Sequence, residues 1–271
     1  MPIHIIQHGT DGFGHQLLGL FSCLLLHGVG DYRFEGYTFL GKPFRFDHID
    51  QAQSANCKEY MLETVSNFIK DISAERVPIS KGVHAHELHR IENPTKDTIY
   101  SLDNAYYFDR VQMTDLERMT HRANIERMKH YFMNAKLPPN ILPAKHIVMH
   151  IRLGDAMTSG RGDSIRKYNT HILGLIERFK GVYPGYHYII HSDGDVSEIT
   201  RDIDSFTVRS KSTPIMDVLS DFIHSRIFVC GNSGLSKVCS FLGDKELVIV
   251  NDDNRHSMPT GTFTISGYLS Q

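Results

Sequence analysis

The stretch Lys145-His-Ile-Val-Met-His-Ile-Arg-Leu-Gly-Asp155 decides the fold of this 271-residue chain. Ile147 to Ile151 is a short apolar run with β-branched side chains, preceded by Pro143 and followed by a Gly-Asp pair, which predicts a buried strand that ends in a loop. Side chains two apart on a strand point to the same face, so His150 and Arg152 should emerge together at the strand's carboxyl end. Open α/β sheets bind ligands at that end, and a guanidinium matches phosphate oxygens. The stretch therefore predicts an anion site.

The second half of the chain has a regular pattern around this strand. Strands are predicted at 146–151, 186–191, 205–208, 226–230 and 246–251, and helices at about 165–181, 196–203, 214–224 and 235–242. Strands that alternate with helices at this spacing indicate a parallel, Rossmann-like sheet.

The first half predicts a similar but less regular unit. A strand at 3–7 runs into a glycine loop at 9–16, a helical pattern begins at Leu17, and further elements are expected at 59–72, 99–108 and 113–133. Thr114 and Glu117 have the spacing of a capping box at the start of the last helix. Leu137 to Pro143 contains three prolines in seven residues, which favours a domain boundary. We expect an α/β protein with two Rossmann-like domains that face a central cleft.

Composition limits the possible partners and compartments. The formal charge is −2, from 29 Lys+Arg and 31 Asp+Glu, so nothing global indicates nucleic acid or an anionic membrane as partner. The longest apolar stretch near the start, Leu17 to Leu26, is too short to span a bilayer. The four cysteines lie far apart and suit buried free thiols in a reducing compartment. A soluble, cytoplasmic protein without a transmembrane segment is expected.

Three segments of the chain resemble one enzyme family. His150-Ile-Arg-Leu-Gly-Asp155 is similar to the H-x-R-R-x-D motif of the fucosyltransferase superfamily, which makes α1,2 and α1,6 linkages and includes the protein O-fucosyltransferases. Gly12-Phe-Gly-His-Gln16, followed by an apolar helix, is similar to the family's N-terminal G-x-G-N-Q segment. The segment from Asp217 to Ser236 is similar to its C-terminal segment, in which an acidic residue opens a helix and a later strand ends in a small polar loop.

The resemblance implies a glycosyltransferase of the GT-B fold, with an acceptor-side domain at 1–143 and a nucleotide-sugar-binding domain at 144–271. Such an enzyme moves L-fucose from GDP-fucose to a hydroxyl of a glycan acceptor, with no metal and no other cofactor. Negative charge builds on the leaving diphosphate, and a fixed guanidinium stabilises that charge more in the transition state than in the ground state. The resemblance therefore places Arg152 on the diphosphate.

The candidate site residues come from these three segments and from the predicted strand ends. The catalytic candidates are Arg152, His15 and Asp11. The donor-binding candidates are Gly12, Gly14, His150, Arg152, Gly154, Asp193, Asp217, Asn232, Ser233, Gly234 and Ser236. No single general base is identified, and Asp11, His15, Glu35 and Asp155 are the candidates by position.

Departures from the family pattern leave other functions open. Leu153 stands where the motif has its second arginine, and His15 replaces the family's asparagine, so the sugar could differ from fucose. One alternative is a glycosyltransferase of the same fold with another donor, such as a xylosyl- or other hexosyltransferase. Another is a catalytically inactive module that binds a sugar or a nucleotide.

Asp193-Gly-Asp195 offers a competing, metal-dependent interpretation. In GT-A glycosyltransferases a D-x-D after a strand holds a divalent cation on the donor diphosphate. The GT-B interpretation is preferred because the family resembled here has a Ser-Asp loop at this place. Asp193 could then bind guanine or ribose, or cap the following helix.

Overall fold

The structure, a computed structural model, describes residues 3–9, 12–39, 51–72, 79–84, 99–103, 114–139, 141–153, 162–231, 233–250 and 262–270. The chain divides into two compact units, residues 1–137 and 138–271. We call them the N-terminal unit and the C-terminal unit. The division falls at the start of the proline-containing segment 137–143.

The N-terminal unit contains a parallel sheet. Its described elements are β1 (Ile3–Gly9), α1 (Phe13–Leu26), β2 (Tyr32–Phe39), α2 (Gln51–Ile72), β3 (Ile79–His84), β4 (Ile99–Asp103) and α3 (Asp115–Asn134). The strands lie in the order β2-β1-β4-β3, and every pairing is parallel. The first strand of the chain is therefore an interior strand of its sheet.

Contacts from α3 hold the helices of this unit together. The Phe132 ring packs edge-on against the Phe21 ring of α1, with 5.9 Å between the centroids. The backbone carbonyl oxygen of Phe132 accepts a 3.0 Å hydrogen bond from the hydroxyl of Tyr60 in α2. Asn124 donates from Nδ2 to the carbonyl oxygen of Leu25, at 2.9 Å. The last carbonyls of a helix have no intrahelical partner, so this bond closes the C-terminal end of α1.

The C-terminal unit contains the larger sheet. Its described elements are β5 (His146–Ile151), α4 (Gly162–Val182), β6 (His187–Ser192), α5 (Ser197–Thr200), β7 (Phe206–Arg209), α6 (Ile215–His224), β8 (Ile227–Cys230), α7 (Gly234–Phe241), β9 (Leu247–Val250), β10 (Phe263–Thr264) and α8 (Ile265–Leu269). The strand order is β10-β9-β8-β5-β6-β7, again parallel throughout. β5 therefore lies in the middle of the sheet.

The side chains of β5 alternate between two different environments. Ile147, Met149 and Ile151 belong to the core cluster that α4 covers, and all three are fully buried. Alternation then directs His150 and Arg152 to the opposite face. The central strand thus supplies the core cluster on one face, whereas the other face carries the buried Val148 followed by the polar His150 and Arg152 near the carboxyl end.

The predicted α/β class is confirmed, and the five strands predicted in the C-terminal half are observed within one residue of their expected bounds. The capping box of Thr114 and Glu117 is present at the start of α3. The four cysteines are free and buried, as expected. No helix in the described ranges combines the length and the apolar character needed to cross a bilayer.

Some predicted bounds are wrong. The helix expected at 196–203 is a single turn, Ser197–Thr200; Arg201 and Asp202 after it are exposed, and the chain reaches the core again at Ile203 outside the helix. The helix expected at 59–72 begins earlier, at Gln51, and the strand expected at 99–108 is described only as Ile99–Asp103. β3, β10 and α8 were not predicted.

Lys245 closes the C-terminal end of α6. Its Nζ donates to the carbonyl oxygens of Phe222 at 2.6 Å and Ile223 at 3.0 Å, and to the Ser225 hydroxyl at 3.2 Å. The same ammonium lies 5.4 Å from the centroid of the Phe228 ring. A cation at this end also complements the helix dipole, so Lys245 fixes the position of α6 against the sheet.

Replacing Lys245 with methionine should lower the free energy of unfolding by about 2 kcal/mol, because hydrogen bonds from a charged donor to the helix-end carbonyls are lost. Urea denaturation of the purified protein measures this change. Lys211→Met, at an exposed position after β7, is the matched control and should change the stability by less than about 0.5 kcal/mol. Equal effects of the two substitutions would show that Lys245 does not hold α6.

Candidate functional site at the carboxyl edge of the large sheet

Three polar side chains lie side by side near the carboxyl edge of the C-terminal sheet. His150 of β5 is in register with His191 of β6, and His191 is in register with Arg209 of β7. Paired residues of adjacent strands point to the same face, so the three form a continuous line that we call the polar row. The row stands at the edge where open parallel sheets bind their ligands.

Arg152 and Leu153 follow β5 beyond the sheet, and Asp193 follows the neighbouring strand β6. The Leu153 backbone N–H donates a 2.7 Å hydrogen bond to Asp193 Oδ1, and Arg152 Nε lies 3.8 Å from Asp193 Oδ2. A single carboxylate therefore contacts both residues after the strand. The Leu153 side chain belongs to the buried core cluster, so the position that has arginine in the family motif faces the core in this chain.

The two contacts of Asp193 differ in strength. The Arg152 and Asp193 side chains are 32% and 29% exposed, and an ion pair that is screened by water contributes roughly 0.2–1 kcal/mol. A hydrogen bond to a charged acceptor contributes roughly 1.5–3 kcal/mol. The bond to Leu153 therefore anchors the chain after β5, while the ion pair mainly orients the guanidinium.

Asp195 has a separate role in the same loop. Its carboxylate accepts hydrogen bonds from the backbone N–H of Ser197 at 2.9 Å and from the Ser197 hydroxyl at 3.0 Å, and these bonds lower the pKa of Asp195. This turn leads into α5, so Asp195 rather than Asp193 serves the start of that helix. Within the described part of the chain, no three His, Cys, Asp or Glu side chains converge as metal ligands.

A chain of hydroxyl groups joins the start of α7 to β5. Ser233 is the N-cap of α7, and its Oγ accepts a 3.1 Å hydrogen bond from the Ser236 backbone N–H. Ser233 Oγ donates to Ser236 Oγ at 3.2 Å, and Ser236 Oγ is hydrogen-bonded to His150 Nδ1. The predicted donor-binding residues His150, Ser233 and Ser236 therefore contact one another directly.

Gly231 makes room for this arrangement at the end of β8. A Cβ atom at this position would lie 2.6 Å from the carbonyl oxygen of His150 and 2.8 Å from its Nδ1. Both distances are too short for any side chain. Glycine therefore allows the chain after β8 to pass directly beside His150.

His150 is neutral at physiological pH. Burial of the ring and, to a smaller extent, the nearby His191 and Arg152 lower the pKa of His150 to about 3, although the Asp193 carboxylate acts in the opposite direction. The ring also packs against Phe222, with 5.1 Å between the centroids. A neutral His150 offers no positive charge, so the cation at this strand end is the guanidinium of Arg152.

A buried cluster supports the other end of the polar row. Asp221 Oδ2 of α6 lies 3.1 Å from His191 Nε2 and 3.4 Å from Arg209 Nε. The His191 and Asp221 side chains are 4% and 5% exposed, and desolvation lowers the pKa of His191 although Asp221 acts against that shift. A buried carboxylate such as that of Asp221 requires a compensating positive charge. Arg209 supplies this charge when the imidazole of His191 is neutral.

This buried cluster was not predicted from the sequence. The predicted acidic residue, Asp217, lies half-buried in the first turn of α6, whereas Asp221 one turn later is the acidic residue that α6 buries. A signal was present, because Asp221 interrupts the apolar stretch from Leu219 to Ile223. A charged residue within the buried face of an amphipathic helix indicates a partner elsewhere in the fold.

The glycine segment of the N-terminal unit is partly helical, so the predicted loop at 9–16 is wrong in its second half. α1 begins at Phe13 with Gly12 as its N-cap. Phe13 and Leu17 are both fully buried at a spacing of four, which extends the apolar face of the helix by a turn. Gly14 and His15 consequently lie in the first helical turn, with His15 exposed.

The remaining candidates divide into two groups. Gly234 is the first residue of α7 and is buried, and Glu35 is half-buried in β2. Four others lie outside the described residues: Asp11, Gly154, Asp155 and Asn232. Residues of the two units are placed only within their own unit.

Comparison with known proteins gives remote likenesses. No protein-family profile and no curated protein sequence matches the chain. A solved structure of the E. coli heptosyltransferase WaaC with ADP matches with a TM-score of 0.44 and 10% identity, over 97% of this chain and 92% of that one. POFUT1 in complex with GDP matches with a TM-score of 0.44 and 11% identity, over 97% and 98%. NodZ α1,6-fucosyltransferase soaked with GDP-fucose matches with a TM-score of 0.42 and 10% identity, over 90% and 93%.

The neutral state of His150 predicts a pH dependence of stability. The pKa of His150 is lower in the folded chain than in the unfolded chain, so only the unfolded state takes up a proton as the pH falls below about 6.5. His150 should therefore lower the free energy of unfolding by about 1.4 kcal/mol between pH 7.5 and pH 5.5. In urea denaturation at the two pH values, His150→Asn should lose that part of the pH dependence.

Ser236→Ala is the control for this experiment. It removes the hydrogen bond to His150 but keeps the imidazole, so it should lower stability at pH 7.5 and retain the original pH dependence. An unchanged pH dependence in His150→Asn would contradict a neutral, buried His150.

Proposed function

We propose that the protein is a glycosyltransferase that moves a sugar, L-fucose in the first instance, from a GDP-sugar to a hydroxyl of a glycan acceptor. The observation that carries the proposal is the setting of Arg152, whose guanidinium follows β5 at the carboxyl edge and is contacted by Asp193. The neighbouring strand β8 leads into α7, whose first turn is capped by Ser233. A guanidinium and a capped helix start on adjacent strands suit a diphosphate.

The chemistry of transfer accounts for these groups. The bond between the anomeric carbon of the sugar and the β-phosphate oxygen breaks, and the acceptor oxygen bonds to that carbon. The acceptor hydroxyl loses its proton to one of the candidate bases or to water, and negative charge accumulates on the departing GDP. A fixed cation and preorganised N–H donors stabilise that charge without reorganising during the reaction. We therefore propose a metal-independent reaction without a further cofactor, in which Arg152 is the catalytic cation.

The assignment of the donor rests on the family resemblance of the segments around Arg152, Asp217 and Ser233. The buried side chain of Leu153 is compatible with it, because that position contributes its backbone N–H to Asp193 rather than a cation to the ligand. We place the acceptor on the N-terminal unit, near the glycine segment that contains His15. The buried free cysteines support a reducing compartment such as the cytoplasm.

Isothermal titration calorimetry tests this function. GDP, GDP-fucose and UDP are titrated with EDTA present into the original protein and into Arg152→Ala. GDP and GDP-fucose should bind in EDTA, and Arg152→Ala should weaken both at least about tenfold, because a charge-assisted phosphate contact is lost.

Arg226→Ala is the matched control, since it removes an exposed arginine that pairs with Glu246 at the opposite edge of the sheet. It should bind GDP as the original protein does. Binding that prefers UDP, that requires a divalent cation or that ignores Arg152 would contradict the proposal.

A further inference from the structure

We propose that Asp193 is the positioning residue for Arg152. Its carboxylate holds the chain after β5 and sets the direction of the guanidinium, and it touches neither the donor nor a metal. This inference rests on the proposed function, because it assigns a role to Asp193 within the same donor site. It replaces the earlier expectation that Asp193 contacts the donor itself.

The loop that carries Asp193 is fixed on both sides. Ser192, the last residue of β6, is buried, and its Oγ accepts a 3.1 Å hydrogen bond from the backbone N–H of Gly194. Asp195 is bound in turn to the start of α5 through Ser197. Since both neighbours of Asp193 are held, its carboxylate stands at a defined place beside the end of β5.

The two oxygens of Asp193 have different partners. Oδ1 accepts the hydrogen bond from the Leu153 N–H, and Oδ2 faces Arg152 Nε at 3.8 Å. At 3.8 Å this contact is an ion pair rather than a hydrogen bond. Because the five N–H donors of arginine share one rigid plane, an attraction centred on Nε favours one direction for the Nη donors. The Asp193 contact is at Nε, and we assign the Nη donors to the phosphate.

The place of Leu153 explains why a hydrogen-bond acceptor is needed at position 193. The Leu153 side chain is buried in the core cluster on one face of the sheet, while its N–H points to Asp193. Arg152 is therefore linked on its C-terminal side to a residue that is held by both its side chain and its backbone. Loss of the Asp193 acceptor would release the backbone at Leu153, directly after Arg152, which carries the proposed phosphate-binding group.

A double-mutant cycle separates positioning from direct binding. GDP is titrated into the original protein, Asp193→Ala, Arg152→Ala and the double variant, with EDTA present. Asp193→Ala should weaken GDP binding roughly tenfold when Arg152 is present and cause no further loss when Arg152 is absent, as expected for coupled neighbours. Asp193→Asn keeps an acceptor for the Leu153 N–H but loses the charge that faces Arg152, so its GDP affinity should fall between that of the original protein and that of Asp193→Ala.

Other outcomes would overturn the inference. Losses that add in the double variant would show that Asp193 contacts the nucleotide itself. If Mg²⁺ or Mn²⁺ increased the GDP affinity of the original protein but not that of Asp193→Ala, Asp193 would be a metal ligand. Tighter GDP binding by Asp193→Ala would show that the carboxylate only opposes the phosphate.

Hydrogen exchange measured by NMR provides a readout that needs no nucleotide. The Leu153 amide should exchange slowly in the original protein and in Asp193→Asn, and at least about tenfold faster in Asp193→Ala. The Ser197 amide, which donates to Asp195, is the internal control and should not change.

If the original protein binds no nucleoside diphosphate, the proposed function fails and the donor role of Asp193 fails with it. Faster exchange of the Leu153 amide in Asp193→Ala would then still identify Asp193 as the residue that anchors the chain after β5. Unchanged exchange would show that Asp193 does not anchor it.

Discussion

The alternation of side chains along β5 is the constraint on which the C-terminal unit depends. Odd-numbered residues from Ile147 to Leu153 supply the core, and the even-numbered His150 and Arg152 point to the other face. A shift of one residue in register would exchange the two sets. Because β5 is paired on both sides, by β6 and β8, that shift would also break two ladders of hydrogen bonds. The position of the cation is thus determined by the same packing that stabilises the fold.

Side chains of α6 hold the carboxyl ends of the central strands in place. Phe222 of α6 packs against the rings of both His150 and His191, and Asp221 beside it contacts two members of the polar row. The same C-terminal part of α6 is held by Lys245, which donates to the Phe222 carbonyl oxygen. One helix is therefore tied at several points to the strands whose ends form the site. This arrangement provides the rigidity that a preorganised anion site requires.

The strands from β5 to β9 were predictable because their apolar runs are short and bounded by turn residues. The start of α1 was not, since Gly14 and His15 resemble a loop until Phe13 is known to be buried. β3 contains Lys81 and Gly82 and lacks the pattern of a buried strand. Candidate site residues could be named from the sequence where they lie in or directly after a predicted strand, as His150 and Arg152 do. The contacts of His191 and of Asp193 join distant segments, and no local pattern specifies which partner each one meets.

The close approach of Gly231 to His150 limits which substitutions positions 150 and 231 can accept during evolution. A Cβ atom at 231 would meet a backbone oxygen as well as the imidazole. Shortening the side chain at position 150 would relieve only the second of these overlaps. The two positions are therefore unequal partners during divergence. Residue 150 can vary as long as Ser236 keeps a hydrogen-bonding neighbour, whereas residue 231 is confined to a single amino acid for as long as β5 and β8 remain adjacent.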